Sequence, residues 1–229
     1  MKAILLDGSQ LDDVTGQRAN AILTTELESR GWQVEHVCLR EKRIGNCAGD
    51  FFCWIRNPGI CNVDDDNRAI AESIINSDLM VYLTPITIGG YSSVLKKMVD
   101  HQLPNISPFF TQVNGETHHQ RRYRKYPDFL AIGWMEGHDS PTEQIFRHLA
   151  HRNAINLCAK KSAVNVVIAS QTDEEIQFSI QDSLNKLNRH SSKKVETSLP
   201  IIEASPRFRP IQNALLLVGS PRTRKSTSS

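Results

Sequence analysis

Short strand-like runs alternate with stretches in which apolar residues recur at helical spacing. The runs cover residues 2–7, 33–38, 79–83, 129–134 and 163–169; the run 33–38 alternates apolar and polar residues, and the others are mainly apolar. Between the first two, Ala19, Leu23 and Leu27 mark one face of a helix that Gly31 ends. Five short strands alternating with helices predict an α/β protein with a doubly wound parallel sheet, helices on both faces and strand order 2-1-3-4-5.

Helix starts are marked by capping residues. Ser92 or Ser93 begins a helix after the third run, and the acidic residues 64–66 precede another. In the stretch 140–143, Ser-Pro-Thr-Glu combines an N-cap, a proline at the first helical position and a glutamate three residues after the cap. Between residues 103 and 128 the pattern is irregular, so no element is predicted there.

The pattern divides the chain into three parts. Residues 1–187 form the predicted domain, and residues 188–210, rich in Ser, Lys, Pro and Arg, form a predicted linker. Residues 211–229 repeat the opening pattern of an apolar strand followed by Gly-Ser, which predicts an extra strand plus a phosphate-type loop. We interpret this tail as the start of a truncated second domain of the same kind, with an added strand as the alternative.

Composition excludes several classes of protein. The 27 basic and 25 acidic residues nearly cancel, so no overall field favours nucleic acid or a membrane surface. No apolar run reaches membrane-spanning length, and the first is too short for a signal peptide. The five cysteines are an odd number, which favours thiols or a site over a disulfide framework. We therefore expect a cytoplasmic protein without nucleic-acid or membrane partners.

The loop after the first strand, residues 8–16, is a candidate phosphate site. A loop that ends at a helix N-terminus presents free N–H groups and the positive end of the helix dipole. Ser9 and Thr15 add hydroxyl donors, whereas Asp12 and Asp13 would repel a phosphate if they pointed inward. The alternative is a capped helix start without a ligand.

The loop after the third run, residues 84–91, contains Pro85 and the adjacent Gly89 and Gly90. Paired glycines would let backbone N–H groups approach a flat ligand, and the proline would stiffen the turn. This composition predicts a floor for a planar polar ring. A tight turn that needs glycine for its own geometry is the equal alternative.

Two further segments carry candidate chemistry. The long loop 40–63 holds Cys47, Cys53 and Cys61, whose thiols could hold an iron–sulfur cluster, bind zinc or simply pack. Packing is favoured, because Asp50 occupies the position that would complete a C-x2-C-x2-C run. The basic, aromatic run 118–123 predicts a solvated loop, or a cationic loop near an anionic cofactor or a subunit boundary.

Over residues 3 to 170 the chain resembles the flavodoxin-like, NADPH-dependent FMN reductase family and its branch that grades into the iron–sulfur flavoproteins. The residues that carry the resemblance are Gly8-Ser9, Asp12-Asp13, Gly16, the Cys-Trp and Pro-Gly-x-Cys of the stretch 47–61, Asp64-Asp65, Ser77-Asp78-Leu79, Thr84-Pro85-Ile86, Tyr91-Ser92-Ser93, Leu95-Lys96, Asp100, Gly115-Glu116 and His118-His119. The tail 217–228 is similar to the opening phosphate loop of the same family. Two residues depart from the family's pattern: Asp50 replaces a cysteine of cluster-bearing relatives, and His101 stands where relatives often have arginine.

The resemblance implies a flavodoxin-like fold with FMN at the carboxyl ends of the strands and NAD(P)H as co-substrate. By analogy, the cofactor-binding residues are Ser9, Gln10, Leu11, Thr15 and Gly16 for the ribityl phosphate, Thr84, Pro85, Ile86, Thr87, Ile88, Gly89, Gly90 and Tyr91 along the ring, and Gly133 and Trp134 at its border. The flavin carries the chemistry, so no catalytic residue and no metal ligand is assigned, and an iron–sulfur cluster is not favoured. A homo-oligomer, dimer or tetramer, is implied by the resemblance alone.

Three functions follow as hypotheses. The first is an FMN-dependent NAD(P)H oxidoreductase that acts on a small electron acceptor such as a quinone, a flavin or a nitro compound. The second is an electron carrier, similar to flavodoxin or an iron–sulfur flavoprotein, that serves a protein partner. The third is a flavodoxin-like binding domain without catalysis.

Overall fold

The computed structural model describes residues 1–188. Beyond Asn188, the predicted linker and the predicted extra strand with its phosphate-type loop lie outside the described residues and stay predictions.

Within residues 1–188 the chain forms seven strands and six α-helices. The strands are β1 (Lys2–Asp7), β2 (Gln33–Cys38), β3 (Leu79–Pro85), β4 (Ile106–Val113), β5 (Glu116–Arg121), β6 (Asp128–Met135) and β7 (Ser162–Ile168). The helices are α1 (Val14–Ser29), α2 (Phe52–Ile55), α3 (Asn67–Ile75), α4 (Ser93–Asp100), α5 (Ser140–Asn156) and α6 (Asp173–Asn188). The five predicted strands are all present, with ends that shift by at most two residues.

Five of the strands form one parallel sheet in the order β2-β1-β3-β6-β7. Counted among these five alone, this is the order 2-1-3-4-5, so the predicted flavodoxin-like α/β fold is confirmed. In register, Asp7 lies beside Leu83, and Thr84 lies beside Gly133. The loops that leave β1, β3 and β6 therefore meet at one carboxyl edge, where ligands bind in sheets of this kind.

Alternate residues of the strands face two separate cores, one on each side of the sheet. Ile4 and Leu6 of β1 face the core that α3, α4 and α5 cover, and Ala3 and Leu5 face the core under α1 and α6. All four side chains are fully buried. Because both faces of the sheet are covered, its central strands β1, β3 and β6 are nearly continuous apolar runs, whereas the edge strand β2 alternates apolar and polar residues.

The structure corrects the sequence analysis between residues 103 and 128. Strands β4 and β5 pair antiparallel as a separate two-stranded sheet, where no element was predicted. Most of β4 is exposed, so it lacks the alternation that a half-buried strand shows. The turn residues Asn114 and Gly115, both with positive φ, are the overlooked signal, because Asn-Gly favours a tight hairpin turn.

Two smaller differences concern helices. The N-cap of α5 is Asp139 rather than Ser140, which becomes the first helical residue, and Pro141 stays in the first turn. The long cysteine-containing loop includes α2, a single turn whose N-cap Phe51 adopts a left-handed conformation with φ of 55°. Both changes leave the sheet order untouched.

Gly133 tests how tightly the sheet packs at the carboxyl edge. A Cβ at this residue would lie 2.7 Å from both Ile86 and the Phe146 ring, whereas a Cβ at Gly137 would meet nothing within 4 Å. We expect Gly133→Ala to lower the free energy of unfolding by about 1–3 kcal/mol, as overpacked cores do. Gly137→Ala, the matched control, should leave it unchanged or raise it slightly. Urea unfolding of the two variants measures the difference, and equal stabilities would contradict the packing.

Candidate functional site

Three loops are tied together at the carboxyl edge of the sheet. The Gly8 N–H donates to Leu83 O at 2.8 Å, and the Ser92 hydroxyl donates to Gly8 O at 2.8 Å. The Ile86 N–H donates to Trp134 O at 2.9 Å. These bonds bring the loops after β1, β3 and β6 together, and with them most of the predicted site residues.

The first of these loops, residues 8–13, has the features of an anion site. The backbone N–H groups of Gln10, Leu11 and Asp12 donate to no acceptor within residues 1–188. They precede the N-terminus of α1, whose dipole favours negative charge. Consecutive unpaired N–H groups at a helix start form a cradle of the kind that binds phosphate.

The acidic residues of this loop do not fill the cradle. The Asp13 carboxylate accepts from the Gly16 N–H at 2.8 Å, which caps α1, and from the Trp134 indole N–H at 2.8 Å. Asp12 is exposed at the surface. Of the two acidic residues expected to repel a phosphate, only Asp12 therefore lacks a partner in this loop.

Arg40 lies against the first loop, and the sequence analysis did not include it. Its guanidinium donates to the Ser9 hydroxyl at 3.3 Å, and it pairs loosely with Glu41 at 3.5 Å. It belongs to a short 3-10 turn, Leu39–Glu41, directly after β2. Because β2 is the neighbour of β1 in the sheet, a cation at this position reaches the β1 loop. The order of strands, once predicted, was a signal that could have found it.

A buried carboxylate supports the same loop from below. Asp7 is 5% exposed, accepts from the Ser9 N–H at 2.9 Å and lies 3.0 Å from Nε2 of His36. Burial acts to raise the pKa of Asp7, but the hydrogen bonds from His36 and Ser9 outweigh it and hold that pKa below its ordinary value. The ionised carboxylate therefore fixes Ser9 and the start of the loop.

The second loop projects from the edge as a tight turn. Thr87 and Gly90 exchange two backbone hydrogen bonds of 3.0 and 2.8 Å. Between them Ile88 and Gly89 both have positive φ, 50° and 75°. A branched side chain in this conformation is strained, and the Ile88 side chain is also 96% exposed. The tip of this loop therefore combines backbone strain with an exposed apolar side chain.

Several predicted residues lie behind these loops rather than at their surface. Thr84 is fully buried and accepts from the Ser92 N–H at 2.8 Å. Tyr91 is 8% exposed, and its hydroxyl accepts from the Asn153 amide at 3.0 Å. A Cβ at Gly16 would lie 2.5 Å from the Trp134 ring, and one at Gly89 would lie 2.6 Å from Ile145. Substitutions at these glycines therefore disturb packing whether or not a ligand is present.

The remaining predicted site residues also differ in how exposed they are to solvent. Gln10, Leu11, Thr87 and Ile88 are exposed, Pro85, Ile86 and Gly90 are half-buried, and Ser9, Thr15, Gly133 and Trp134 are buried. The exposed and half-buried residues can contact a ligand directly. Contact between a ligand and any one of these residues stays a prediction.

The cysteine loop lies beside α4. Cys47 is exposed, Cys53 is buried, and Cys61 Sγ lies 3.6 Å from Nδ1 of His101, whose Nε2 is 3.0 Å from Gly45 O. Burial raises the pKa of the Cys53 thiol to about 11, so this thiol is protonated at neutral pH. In the part of the chain described, no three His, Cys, Asp or Glu side chains are placed to hold a metal ion.

Asp50, at the position of the missing cysteine, is engaged within the loop. Its carboxylate accepts from the Phe52 N–H at 3.0 Å and from the Asn62 amide at 3.3 Å. The residue thus stabilises the turn that precedes α2. The expectation that the chain carries no iron–sulfur cluster stays a prediction, which an iron assay would test.

The run 118–123 does not form a solvated loop. His118 is 6% exposed and lies between the Asn156 amide at 2.9 Å and the Glu116 carboxylate at 3.0 Å. The His119 ring lies 5.0 Å from the Trp54 ring and 4.9 Å from the Phe110 ring. Both histidines therefore hold the β4–β5 hairpin in place, one against α5 and the other against the cysteine loop.

None of the helices within residues 1–188 is long and apolar enough to span a membrane.

Comparison with known proteins supports the resemblance found in the sequence. A family profile described as NADPH-dependent FMN reductase matches residues 1–166. An iron–sulfur flavoprotein of Archaeoglobus fulgidus is 27% identical over 104 residues, which are 45% of this chain and 46% of that protein. An iron–sulfur flavoprotein of Methanosarcina thermophila is 26% identical over 38% of this chain and 47% of that protein. The chain therefore spans about half the length of these curated relatives.

Solved structures share the fold at low identity. An NAD(P)H:quinone oxidoreductase from Methanothermobacter marburgensis superposes with a TM-score of 0.63 at 12% identity, covering 83% of this chain and 98% of that one. An azoreductase from Bacillus anthracis str. Sterne gives a TM-score of 0.56 at 10% identity, covering 82% of this chain and 97% of that one. At these identities the likeness establishes the fold.

Ile88→Gly tests the strain at the tip of the second loop. A left-handed conformation costs a branched residue about 1–2 kcal/mol, and glycine's larger loss of chain entropy offsets about half of this, so we expect the variant to be more stable by about 0.5–1 kcal/mol. Asn114→Gly, at a φ of 52° in the hairpin turn, is the control and should change stability less, because Asn tolerates this conformation. Thermal unfolding measures both. A loss of stability in Ile88→Gly would contradict the strain.

Asp7→Asn tests the buried carboxylate by its pH dependence. Because the pKa of Asp7 in the folded protein lies below the reference value of 3.8, its ionised form stabilises the fold above that pH. The contribution is lost as the pH falls through the folded pKa. We expect the variant to be less stable than wild type by about 1–2 kcal/mol at pH 7, with the gap closing below about pH 4. Urea unfolding across this pH range measures the stability difference, with Asp12→Asn as the exposed control. A difference between Asp7→Asn and wild type that does not change with pH would contradict the lowered pKa of Asp7.

Proposed function

The chain belongs to the NADPH-dependent FMN reductase family, and from this we propose that it is an FMN-dependent NAD(P)H oxidoreductase that passes electrons to a small acceptor. The observation that carries the proposal is the pairing, at one edge of the sheet, of an N–H cradle with a strained, exposed loop tip. The two features suit the two halves of FMN, an anionic phosphate and a flat ring.

The cradle is the proposed phosphate site. Gln10 and Leu11 would donate their backbone N–H groups to the phosphate, and Ser9 and Thr15 lie buried on either side. Arg40, held against the Ser9 hydroxyl, supplies positive charge next to the cradle. A guanidinium forms strong charge-assisted hydrogen bonds to phosphate, so Arg40 offsets the repulsion from Asp12.

The turn 87–90 is the proposed ring site. The N–H groups of Ile88 and Gly89 donate to no acceptor within residues 1–188, whereas the Gly90 N–H is already bonded to Thr87 O. The two unpaired donors would meet the polar edge of the flavin and favour its reduced, anionic form. The exposed Ile88 side chain would pack against the ring, and the free energy of this contact would offset the strain of the Ile88 backbone.

When bound, FMN accepts hydride from a nicotinamide and gives electrons to an acceptor. The chain's own residues bind and orient the cofactor, and none of them is assigned as an acid, base or nucleophile. Structural neighbours named as a quinone oxidoreductase and an azoreductase support a small acceptor such as a quinone, a flavin or a nitro compound. The homo-oligomer, the cytoplasmic location and the absence of nucleic-acid and membrane partners stay predictions.

The alternative is an electron carrier for a protein partner, which the named iron–sulfur flavoproteins among the relatives keep open. Steady-state oxidation of NADPH and NADH by the FMN-loaded protein separates the two functions. Sustained oxidation that requires added quinone, flavin or nitro compound supports the oxidoreductase. Flavin that binds but is not reduced by either nucleotide contradicts it and favours the carrier, and protein that binds no FMN favours a binding domain without catalysis.

Two variants test the two halves of the site by comparing FMN with riboflavin, which lacks the phosphate. Arg40→Leu should weaken FMN binding by about tenfold while riboflavin binding stays nearly unchanged, because only the phosphate meets the guanidinium. Ile88→Gly should weaken both flavins by a similar factor of about ten, since the ring loses an apolar contact. Fluorescence titration of the apoprotein measures the dissociation constants.

Arg43→Leu is the matched control for Arg40→Leu, because it removes the same charge three residues further along the chain. We expect it to change neither dissociation constant by more than about twofold, as for a screened surface charge. If Arg40→Leu weakens riboflavin as much as FMN, or if Arg43→Leu has the same effect, Arg40 does not meet the phosphate.

A further inference from the structure

A cavity of about 400 Å³ lies at the amino-terminal edge of the sheet, opposite the proposed flavin site. Its walls come from the residues at the starts of the strands, among them Trp32 before β2, Asp78 and Leu79 at β3, and Asp128 at β6. The end of α6 closes one side. Nothing in the proposed oxidoreductase chemistry uses this cavity.

Cationic side chains dominate the lining. Among the lining residues within 1–188, two are acidic, Asp78 and Asp128, and five are basic: Arg30, Arg124, Lys125, Lys160 and Lys161. This excess is local, because residues 1–188 carry 23 acidic and 19 basic residues and are acidic as a whole. A positive cavity in an acidic domain is a feature that overall composition does not explain.

The two carboxylates are already engaged. Asp78 accepts from the Lys125 ammonium and from the Lys2 N–H at 2.8 Å, which holds its pKa below the ordinary value. Asp128 accepts from the Lys161 N–H at 3.2 Å. Neither carboxylate forms a salt bridge with the side chains of Lys160, Lys161 or Arg124.

Arg30 also has partners: its guanidinium donates to the Asn185 amide oxygen at 3.0 Å and forms a salt bridge with the Glu26 carboxylate at 3.8 Å. The three remaining cations, Arg124, Lys160 and Lys161, pair with no carboxylate in the described range 1–188. They are the cationic group of the cavity. Three cations that form no salt bridge within residues 1–188, two of them near the single carboxylate of Asp128, suit a ligand with more than one negative charge.

The other side of the cavity is apolar. Trp32, Leu184 and Leu187 line it, and Trp32 packs partly on the core between α1 and α6. An indole that is only partly covered offers a face on which a flat ring can stack. A volume of about 400 Å³ is at the lower end of the range for small-molecule pockets and is enough for a mononucleotide.

We propose that the amino-edge cavity binds a phosphorylated aromatic compound of nucleoside diphosphate size, with the phosphates on Arg124, Lys160 and Lys161 and the ring on Trp32. The site is separate from the flavin edge and does not depend on the proposed function.

Calorimetric titration of the full-length, FMN-treated protein with ADP tests the proposal. We expect binding with a dissociation constant below about 1 mM, weakened at least about tenfold in Lys160→Ala/Lys161→Ala, because charge-assisted bonds to phosphate are lost. The control Lys42→Ala/Lys97→Ala removes the same charge outside the cavity and should change the constant by less than about twofold. Thermal unfolding of every variant checks the fold, and Arg124→Gln repeats the test with a single change.

A separate variant, Trp32→Leu, tests the stacking of the ligand's ring on the indole. Trp32→Leu should weaken ADP at least about fivefold and leave inorganic pyrophosphate nearly unaffected, because only ADP carries a ring to stack. Absence of ADP binding at millimolar concentration overturns the proposal. So does an equal loss in the control variant, or ADP binding that competes with NADPH and survives in Lys160→Ala/Lys161→Ala, since that ADP would be at the flavin edge.

Discussion

The close approach of Gly8 to Ser92 is the contact on which the carboxyl edge depends. A Cβ at Gly8 would lie 2.6 Å from Ser92 Oγ and 2.7 Å from Leu95 Cβ, so only glycine fits. Ser92 makes three hydrogen bonds here. Its hydroxyl donates to Gly8 O and accepts from the Leu95 N–H at 3.2 Å, which caps α4, and its backbone N–H donates to the Thr84 hydroxyl oxygen. One serine thereby fixes the phosphate-type loop, a helix start and the end of β3 relative to one another.

Because these contacts fix the two loops, they also fix the orientation of the unpaired backbone N–H groups in them. The unpaired N–H groups at Gln10 and Leu11 belong to one loop and those at Ile88 and Gly89 to the other, and both loops leave the same edge of the sheet. The protein supplies rigid donors and one strained apolar tip rather than acids and bases. Such an arrangement suits a cofactor that carries its own chemistry and needs position and electrostatic support.

The fold was predictable because its signals are local and agree with one another. Each strand of the sheet is a short apolar or alternating segment, and each helix that covers the sheet has an apolar stripe or a cap, so the order of elements and the sheet topology follow from few rules. The hairpin β4–β5 was not predicted, because its strands are exposed and its histidines are held by contacts distant in sequence, with Trp54 and Asn156. Only its Asn-Gly turn was a local signal.

The sequence indicated which loops form the candidate site, but it did not indicate how their side chains pack against one another. Motif and spacing located the loops 9–16 and 84–91, yet Gly133 makes room for Ile86 and Phe146, and Trp134 is covered by the start of α1. Arg40 was missed because its approach to Ser9 arises from the pairing of β1 with β2 and not from any motif. Side-chain direction across a sheet edge is tertiary information that a single sequence carries only indirectly.

Amide NMR of the isotope-labelled apoprotein during titration with FMN would report where the cofactor lies. If FMN binds at the carboxyl edge, we expect the largest shifts at Gln10 to Asp12 and Thr87 to Gly90, with little change at Lys160 and Lys161. Shifts that concentrate at the amino edge, or a titration without shifts in either loop, would contradict the placement of the flavin at the carboxyl edge.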